Sequence, residues 1–329
     1  MTVTHGGDVW QGPAPEAFLD FSANLNPEGP PEWVRAAMAE GVNRARYYPD
    51  VQSAAARRGL AAHLKLDAAC VLPAAGGIEA ARLAASLPGR PVIAQPTFQE
   101  YGHLCGQHRD VSRNELSAFC FAPGDALWLC NPNNPTGDAL PRECVLALLQ
   151  RAEAAGARLI VDEAFIEYCP EHSVADQVAD HPALVVLGSL TKVLAIPGIR
   201  LGYLAAHPAV IGKLSPDLMP WRLNSLADAV AAALPGHAND FKTIRALNDA
   251  RRESFARSLE ALAKVHPSDA NFLLCDFGRD MRPEIEALKQ KNVLLRPCGM
   301  FPGLTHGHVR LCVRTEKENA RLIEMLTTV

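Results

Sequence analysis

Short apolar runs recur along the middle of this chain, at 91–94, 126–130, 158–161, 184–187 and 201–205, and a helical stretch at 141–155 lies between two of them. Runs this short and this apolar read as strands buried on both faces. Strands alternating with helices predict an α/β domain built on a largely parallel sheet. Such a sheet binds ligands just beyond the C-terminal ends of its strands. Polar residues gather at those ends: 95–101 reads QPTFQEY, 131–137 NPNNPTG, 162–165 DEAF and 189–192 SLTK.

The rest of the chain divides around that domain. Residues 1–30 carry Pro and Gly throughout and predict an extended arm, with Phe18, Leu19 and Phe21 in need of cover. Helices are predicted at 31–41, closed by Gly41, and at 51–64, with Pro49 holding Tyr48 extended. Gly76 and Gly77 precede a helix to about 86. Pro216, Pro220 and Pro235 mark a boundary, after which a long helix at 240–265 leads to strands at 271–276, 293–296 and 308–313 and helices at 283–291 and from 316. The expected division is therefore an arm and first helix (1–40) joining a smaller α+β domain, a large domain (41–235), and a linking helix with the smaller C-terminal domain (236–329).

Composition narrows the classes of function. A net charge of −4 gives no basic footprint for nucleic acid. No apolar run is long enough to span a bilayer and no signal peptide is visible, so no membrane partner is expected. The 9 cysteines form no CxxC pair and read as reduced thiols of a cytoplasmic protein.

Several of the strand-end groups suit one chemistry. Lys192 can form a Schiff base with an aldehyde, while Ser189 and Arg200 hold a phosphate on it. Glycines opening a helix, at Gly77 and Ile78, add backbone N–H groups to such a phosphate site. Asn134 sits in a rigid turn and can offer an amide donor. Asp162 ends its strand among apolar neighbours, where a carboxylate calls for a cation such as a protonated pyridine nitrogen. Phe98 can stack on a flat ring.

Taken together, SLTK with Lys192, Arg200, NPNNPTG, DEAF and the GG–helix turn resemble the fold-type-I pyridoxal-phosphate enzymes, over nearly the whole chain. Within them the sequence resembles the histidinol-phosphate aminotransferase branch, and more closely the L-threonine-O-3-phosphate decarboxylases of cobalamin biosynthesis. The resemblance implies a large domain with a mostly parallel sheet, a smaller α+β domain and pyridoxal 5'-phosphate as cofactor. It implies Lys192 as the Schiff-base lysine, Asp162 at the pyridine nitrogen, Asn134 at the phenolic oxygen and Phe98 on the ring. Gly77, Ile78, Ser189 and Arg200 would hold the phosphate. Tyr48 would reach the cofactor phosphate of a neighbouring subunit, so a homodimer is expected. Arg310 sits where the family places its substrate-carboxylate arginine.

One departure separates two activities. Aminotransferases of this branch carry tyrosine at the position of Phe165, and the decarboxylases resemble this chain in having phenylalanine. The HGGD start, the SANLNP segment and Arg296 also resemble the decarboxylases. Arg296 and Arg310 would serve a substrate with two anionic ends, with Asn24 and His5 as helpers; the residues do not assign carboxylate and phosphate between the two guanidiniums. The implied reaction is decarboxylation of O-phospho-L-threonine to (R)-1-amino-2-propanol phosphate for the cobalamin nucleotide loop. The alternative is a histidinol-phosphate-type or aromatic aminotransferase. A third class, a cofactor-binding regulatory module, lacks the DNA-binding domain it would need.

Overall fold

The computed structural model describes residues 5–12, 14–214 and 218–328. Its elements are β1 (Leu19–Asp20), α1 (Glu32–Arg44), α2 (Ala54–Leu64), β2 (Val71–Ala74), α3 (Gly77–Ala85), β3 (Arg90–Gln95), α4 (Glu100–Cys105), β4 (Arg109–Ser112), β5 (Asp125–Cys130), α5 (Arg142–Ala154), β6 (Arg158–Asp162), β7 (Leu184–Ser189), β8 (Gly202–Ala206), α6 (Pro208–Leu214) and α7 (Ser225–Ala233). They continue with α8 (Ala238–Leu259), β9 (Lys264–Val265), β10 (Phe272–Asp276), α9 (Arg282–Gln290), β11 (Val293–Leu294), β12 (Arg296–Pro297), β13 (His308–Cys312) and α10 (Glu316–Thr328). Among the described residues no helix is long and apolar enough to cross a membrane.

The main sheet has the order β2-β8-β7-β6-β5-β3-β4. Six of its seven strands run in one direction; β8, set between β2 and β7, is antiparallel to both. Every residue of β5 and β7 is buried, because helices cover both faces. Alternation along β5 sends Leu127 and Leu129 into one core, with Val145, Leu148 and Leu149 of α5. It sends Trp128 and Cys130 into the other, with Ala80, Leu83 and Ala84 of α3. The sheet is thus clamped from both sides, and the ends of β3, β5, β6 and β7 are held in fixed mutual register.

A second, antiparallel sheet has the order β12-β13-β10-β9. Its core includes Leu273, Val309 and Leu311 from the sheet and Leu322 of α10. Leu19 and Phe21 of the arm join that core, and β1 pairs in parallel with β11.

Several expectations need correction. The first helix packs on α7 rather than on the smaller sheet: Val34 lies in the core of the main sheet. Gly41 does not end it. The helix runs on to Arg44, and Gly41 is where the helix meets the backbone of Ser225 and Leu226, which a Cβ would strike. The long helix stops at Leu259, and Lys264–Val265 pairs as a strand with β10. The run at 293–296 is two strands, one on β1 and one on β13. Strand β4 was not foreseen; its alternation is hidden because most of its residues are exposed. Pro216 falls outside the described residues.

Candidate active site

The C-terminal ends of β5, β6 and β7 deliver Asn134, Asp162 and Lys192 to one cavity of about 800 Å³ and a deeper recess of about 180 Å³ that continues it. At the floor, Asp162 is nine-tenths buried. Its Oδ2 accepts from the Tyr101 hydroxyl at 2.6 Å and its Oδ1 from the Ala164 N–H at 2.9 Å. Burial pushes its pKa up; the two donors and the nearby Lys192 ammonium pull the other way. The same burial pushes the proton affinity of Lys192 down, opposed by Asp162 and aided by Arg200 and Arg310. A lysine biased toward its neutral amine is primed for attack on an aldehyde. Its Nζ donates to Ser189 Oγ at 3.3 Å and lies 5.8 Å from the centre of the Phe165 ring.

An anion cup stands beside the lysine. Helix α3 begins at Gly77, and its N-cap Gly76 has φ +85°. A Cβ at Gly76 would overlap the Arg200 guanidinium, so glycine lets the arginine lie against the helix start. Arg200 itself is left-handed, at φ 62°, and donates to the Pro197 carbonyl at 2.9 Å. Ser189 Oγ pairs with Thr191 Oγ1 at 2.8 Å. Free N–H groups, a hydroxyl and a guanidinium together make a phosphate site. Ile78, the second residue of the helix, lines the recess, and so does Phe98, set edge-on to Tyr101.

The roof carries the arginines. Strands β12 and β13 place Arg296 directly opposite Arg310. Both are buried, and Arg296 Nη1 and Arg310 Nε have no hydrogen-bond partner. Burial, helped by Arg296, brings the pKa of Arg310 down to about 10. Arg310 Nη1 donates to Asn134 Oδ1, and Nη2 donates to the Ser22 carbonyl at 2.7 Å. With its oxygen so engaged, Asn134 has its amide nitrogen as the end that can face a ligand. Asn24 lines the same cavity, its buried Oδ1 unpartnered. His5 also lines it and pairs with Glu100 at 2.8 Å.

Tyr48 is the exception among the expected site residues. It is 82% exposed and leans on Trp221, with ring centres 4.8 Å apart, and it does not line this chain's cavity. Two residues that shape the site were missed. Tyr101, in α4, follows Phe98 by three positions, and the turn that opens the helix brings the two rings edge-on; that spacing could have been read. Arg113 holds the NPNNPTG turn from behind, donating to the Cys130 carbonyl at 3.0 Å and to Asn131 Oδ1 at 3.3 Å; nothing local to it announces that contact.

A buried amine biased toward neutrality, a carboxylate at the far wall, a flat apolar slot and a glycine-cradled anion cup fit pyridoxal phosphate. Comparison with known proteins agrees: the family model for aminotransferase class I and II matches residues 16–326. The chain belongs to that family. The family is pyridoxal-phosphate dependent and has the fold-type-I architecture. Among its relatives, the threonine-phosphate decarboxylase of Salmonella typhimurium is 34% identical, covering 99% of this chain and 96% of that protein. A histidinol-phosphate aminotransferase of Frankia casuarinae is also 34% identical, covering 90% and 82%. The crystal structure of L-threonine-O-3-phosphate decarboxylase from Porphyromonas gingivalis aligns with a TM-score of 0.85 at 26% identity, over 94% of this chain and 98% of that one.

Proposed function

We propose that this family member decarboxylates O-phospho-L-threonine to (R)-1-amino-2-propanol phosphate. The observation that carries the reading is the opposed, buried pair Arg296 and Arg310, each with a guanidinium nitrogen unmet by protein. Like charges set directly across a strand pair are unfavourable, and buried unpaired charge is more so. A substrate with a carboxylate at one end and a phosphate at the other relieves both costs. The Salmonella relative supports the same reaction class.

Lys192, Asp162, Asn134 and Phe98 would hold the cofactor ring, and Gly77, Ile78, Ser189 and Arg200 its phosphate. Pyridoxal phosphate, when bound, supplies the electron sink for the bond broken at the substrate α-carbon. The remaining work belongs to the chain. Arg296 and Arg310 fix the two anionic ends, with Asn24 and His5 beside them, and so decide which α-carbon bond stands ready to break. Asp162 keeps a negative charge at the ring end of the recess. Lys192 Nζ is the group placed to return a proton to the α-carbon once CO2 has left. Phe165 brings no hydroxyl to the site. Tyr48 would serve the site of a second copy; its exposure, and that of Trp221, support a homodimer of this kind. Nine reduced cysteines support a cytoplasmic location.

The Frankia relative, at equal identity, keeps an aminotransferase as the second reading. Incubation with O-phosphothreonine and no keto acid separates the two. Release of CO2 and aminopropanol phosphate is expected; turnover of histidinol phosphate with 2-oxoglutarate, and no CO2, would make the second reading the right one.

A further inference from the structure

A short strip of the arm, Ser22 to Glu28, reaches from the arginine end of the cavity to the lysine end. The Ser22 carbonyl accepts from Arg310. The Asn26 main-chain N–H donates to the carbonyl of Lys192 at 3.0 Å, and Asn26 Nδ2 donates to the carbonyl of Val193 at 3.2 Å. Asn26 Oδ1 accepts from the Glu28 N–H at 3.2 Å, and Glu28 pairs with Arg251 at 2.7 Å. Arg251 in turn holds Glu316, at the start of α10, at 3.0 Å.

The lysine needs such support. It lies beyond the end of β7, in a turn that belongs to no helix or strand. The turn's own bonds are few: Leu194 N–H to the Leu190 carbonyl, Ala195 N–H to that of Lys192, and Ile196 N–H to that of Thr191. Ala195 takes a left-handed conformation, φ 51°, which a side chain disfavours. A turn of this kind is held by what packs on it. Asn26, buried and reaching across 167 residues of sequence, meets two consecutive carbonyls there.

We propose that Asn26 is a positioning residue that clamps the backbone of the cofactor lysine and, through the Ser22–Glu28 strip, keeps that lysine in register with Arg310. The inference rests on Lys192 being the cofactor lysine. An asparagine here can do what an aspartate cannot. Both can accept from the Glu28 N–H and keep that turn, but only the amide donates to the Val193 carbonyl.

Asn26→Asp and Asn26→Ala test it together. In the apoprotein, amide hydrogen exchange at 194–196 should rise roughly tenfold in both variants while β5 and β6 stay protected, as loss of about 1 kcal/mol or somewhat more of local hydrogen bonding dictates. Capture of pyridoxal phosphate by the apoprotein should slow, and kcat should fall about five- to tenfold with KM nearly unchanged. Wild-type exchange and wild-type capture in a folded Asn26→Asp variant overturn the clamp. Should the alanine variant fail to fold, the aspartate variant alone decides. Failure of the underlying reading shows up separately, as wild-type protein in which borohydride fixes no pyridoxal on Lys192; the exchange result still stands or falls on its own.

Discussion

At the cofactor end of the cavity the polar groups are met by protein; at the substrate end they are met only in part. Asp162 has a hydroxyl on one oxygen and an N–H on the other. Lys192 has Ser189, and the Arg200 guanidinium is anchored to Pro197. Above them, Arg296 Nη1, Arg310 Nε and Asn24 Oδ1 are buried with no protein partner. Buried polar atoms are rarely left so. The contrast separates two tasks. A resident group is gripped by a preorganised floor, whereas a transient one must bring the counter-charges that the roof lacks.

The sharpest way to break this contrast is at the floor. Lys192→Ala should cost at least about a thousandfold in kcat, because among the described residues no other amine lines the recess. The variant should still retain cofactor through the Arg200 cup, as equilibrium dialysis would show. At the roof, Arg310→Ala should cost on the order of a hundredfold in kcat/KM, since charge-assisted contacts to a doubly anionic substrate are worth about 2–4 kcal/mol. The cofactor's visible spectrum should change little. If Arg310→Ala instead abolishes cofactor binding, floor and roof are not separate.

Tyr101→Phe probes the floor more gently. Without the hydroxyl, the raised pKa of Asp162 rises further. A carboxyl whose folded pKa is raised contributes stability below its unfolded pKa, and loses it as pH climbs through the folded one. The Tyr101→Phe apoprotein should therefore melt below wild type at neutral pH, with the gap closing near pH 4, and kcat should drop about tenfold. Calorimetry across pH reads the first effect and steady-state rates the second.

The smallest effect on activity is expected from Glu163, beside Asp162 but turned to Ser173 and the Val174 N–H. Burial lifts its pKa to about 7 from an ordinary 4.5. By the same sign, its ionisation should erode apoprotein stability between pH 4.5 and 7, by up to about 3 kcal/mol. Glu163→Gln should flatten the slope of Tm over that window and leave kcat within a few-fold. A large loss of activity would mean that Glu163 belongs to the site.

The two ends also differ in how far the sequence discloses them. Lys192 and Asp162 stand at strand ends within short, self-evident motifs, and the apolar runs that deliver them are legible from alternation and length. The contacts that complete the site are long-range. Tyr101 meets Asp162 across 61 residues, and Arg310 meets Asn134 across 176. Spacing carries no trace of such pairs. Arg296 and Arg310 were each readable through family resemblance, but their opposition depends on the register of β12 on β13. The element ends that moved did so for the same reason. Residues 260–265 continue an apolar pattern, and it is pairing of Lys264–Val265 with β10 that takes them out of the helix. Likewise, 293–296 is extended throughout, yet its two halves answer to different partners.

On the proposed reading, the roof arginines present the substrate carboxylate, rather than the α-hydrogen, for cleavage. O-phospho-L-threonine deuterated at the α-carbon tests it directly, with mass spectrometry of the product in ordinary water and no keto acid present. Aminopropanol phosphate that keeps its deuterium is expected, with CO2 released in step. Washout of deuterium from unreacted substrate without CO2, or product formation only when a keto acid is supplied, would contradict it.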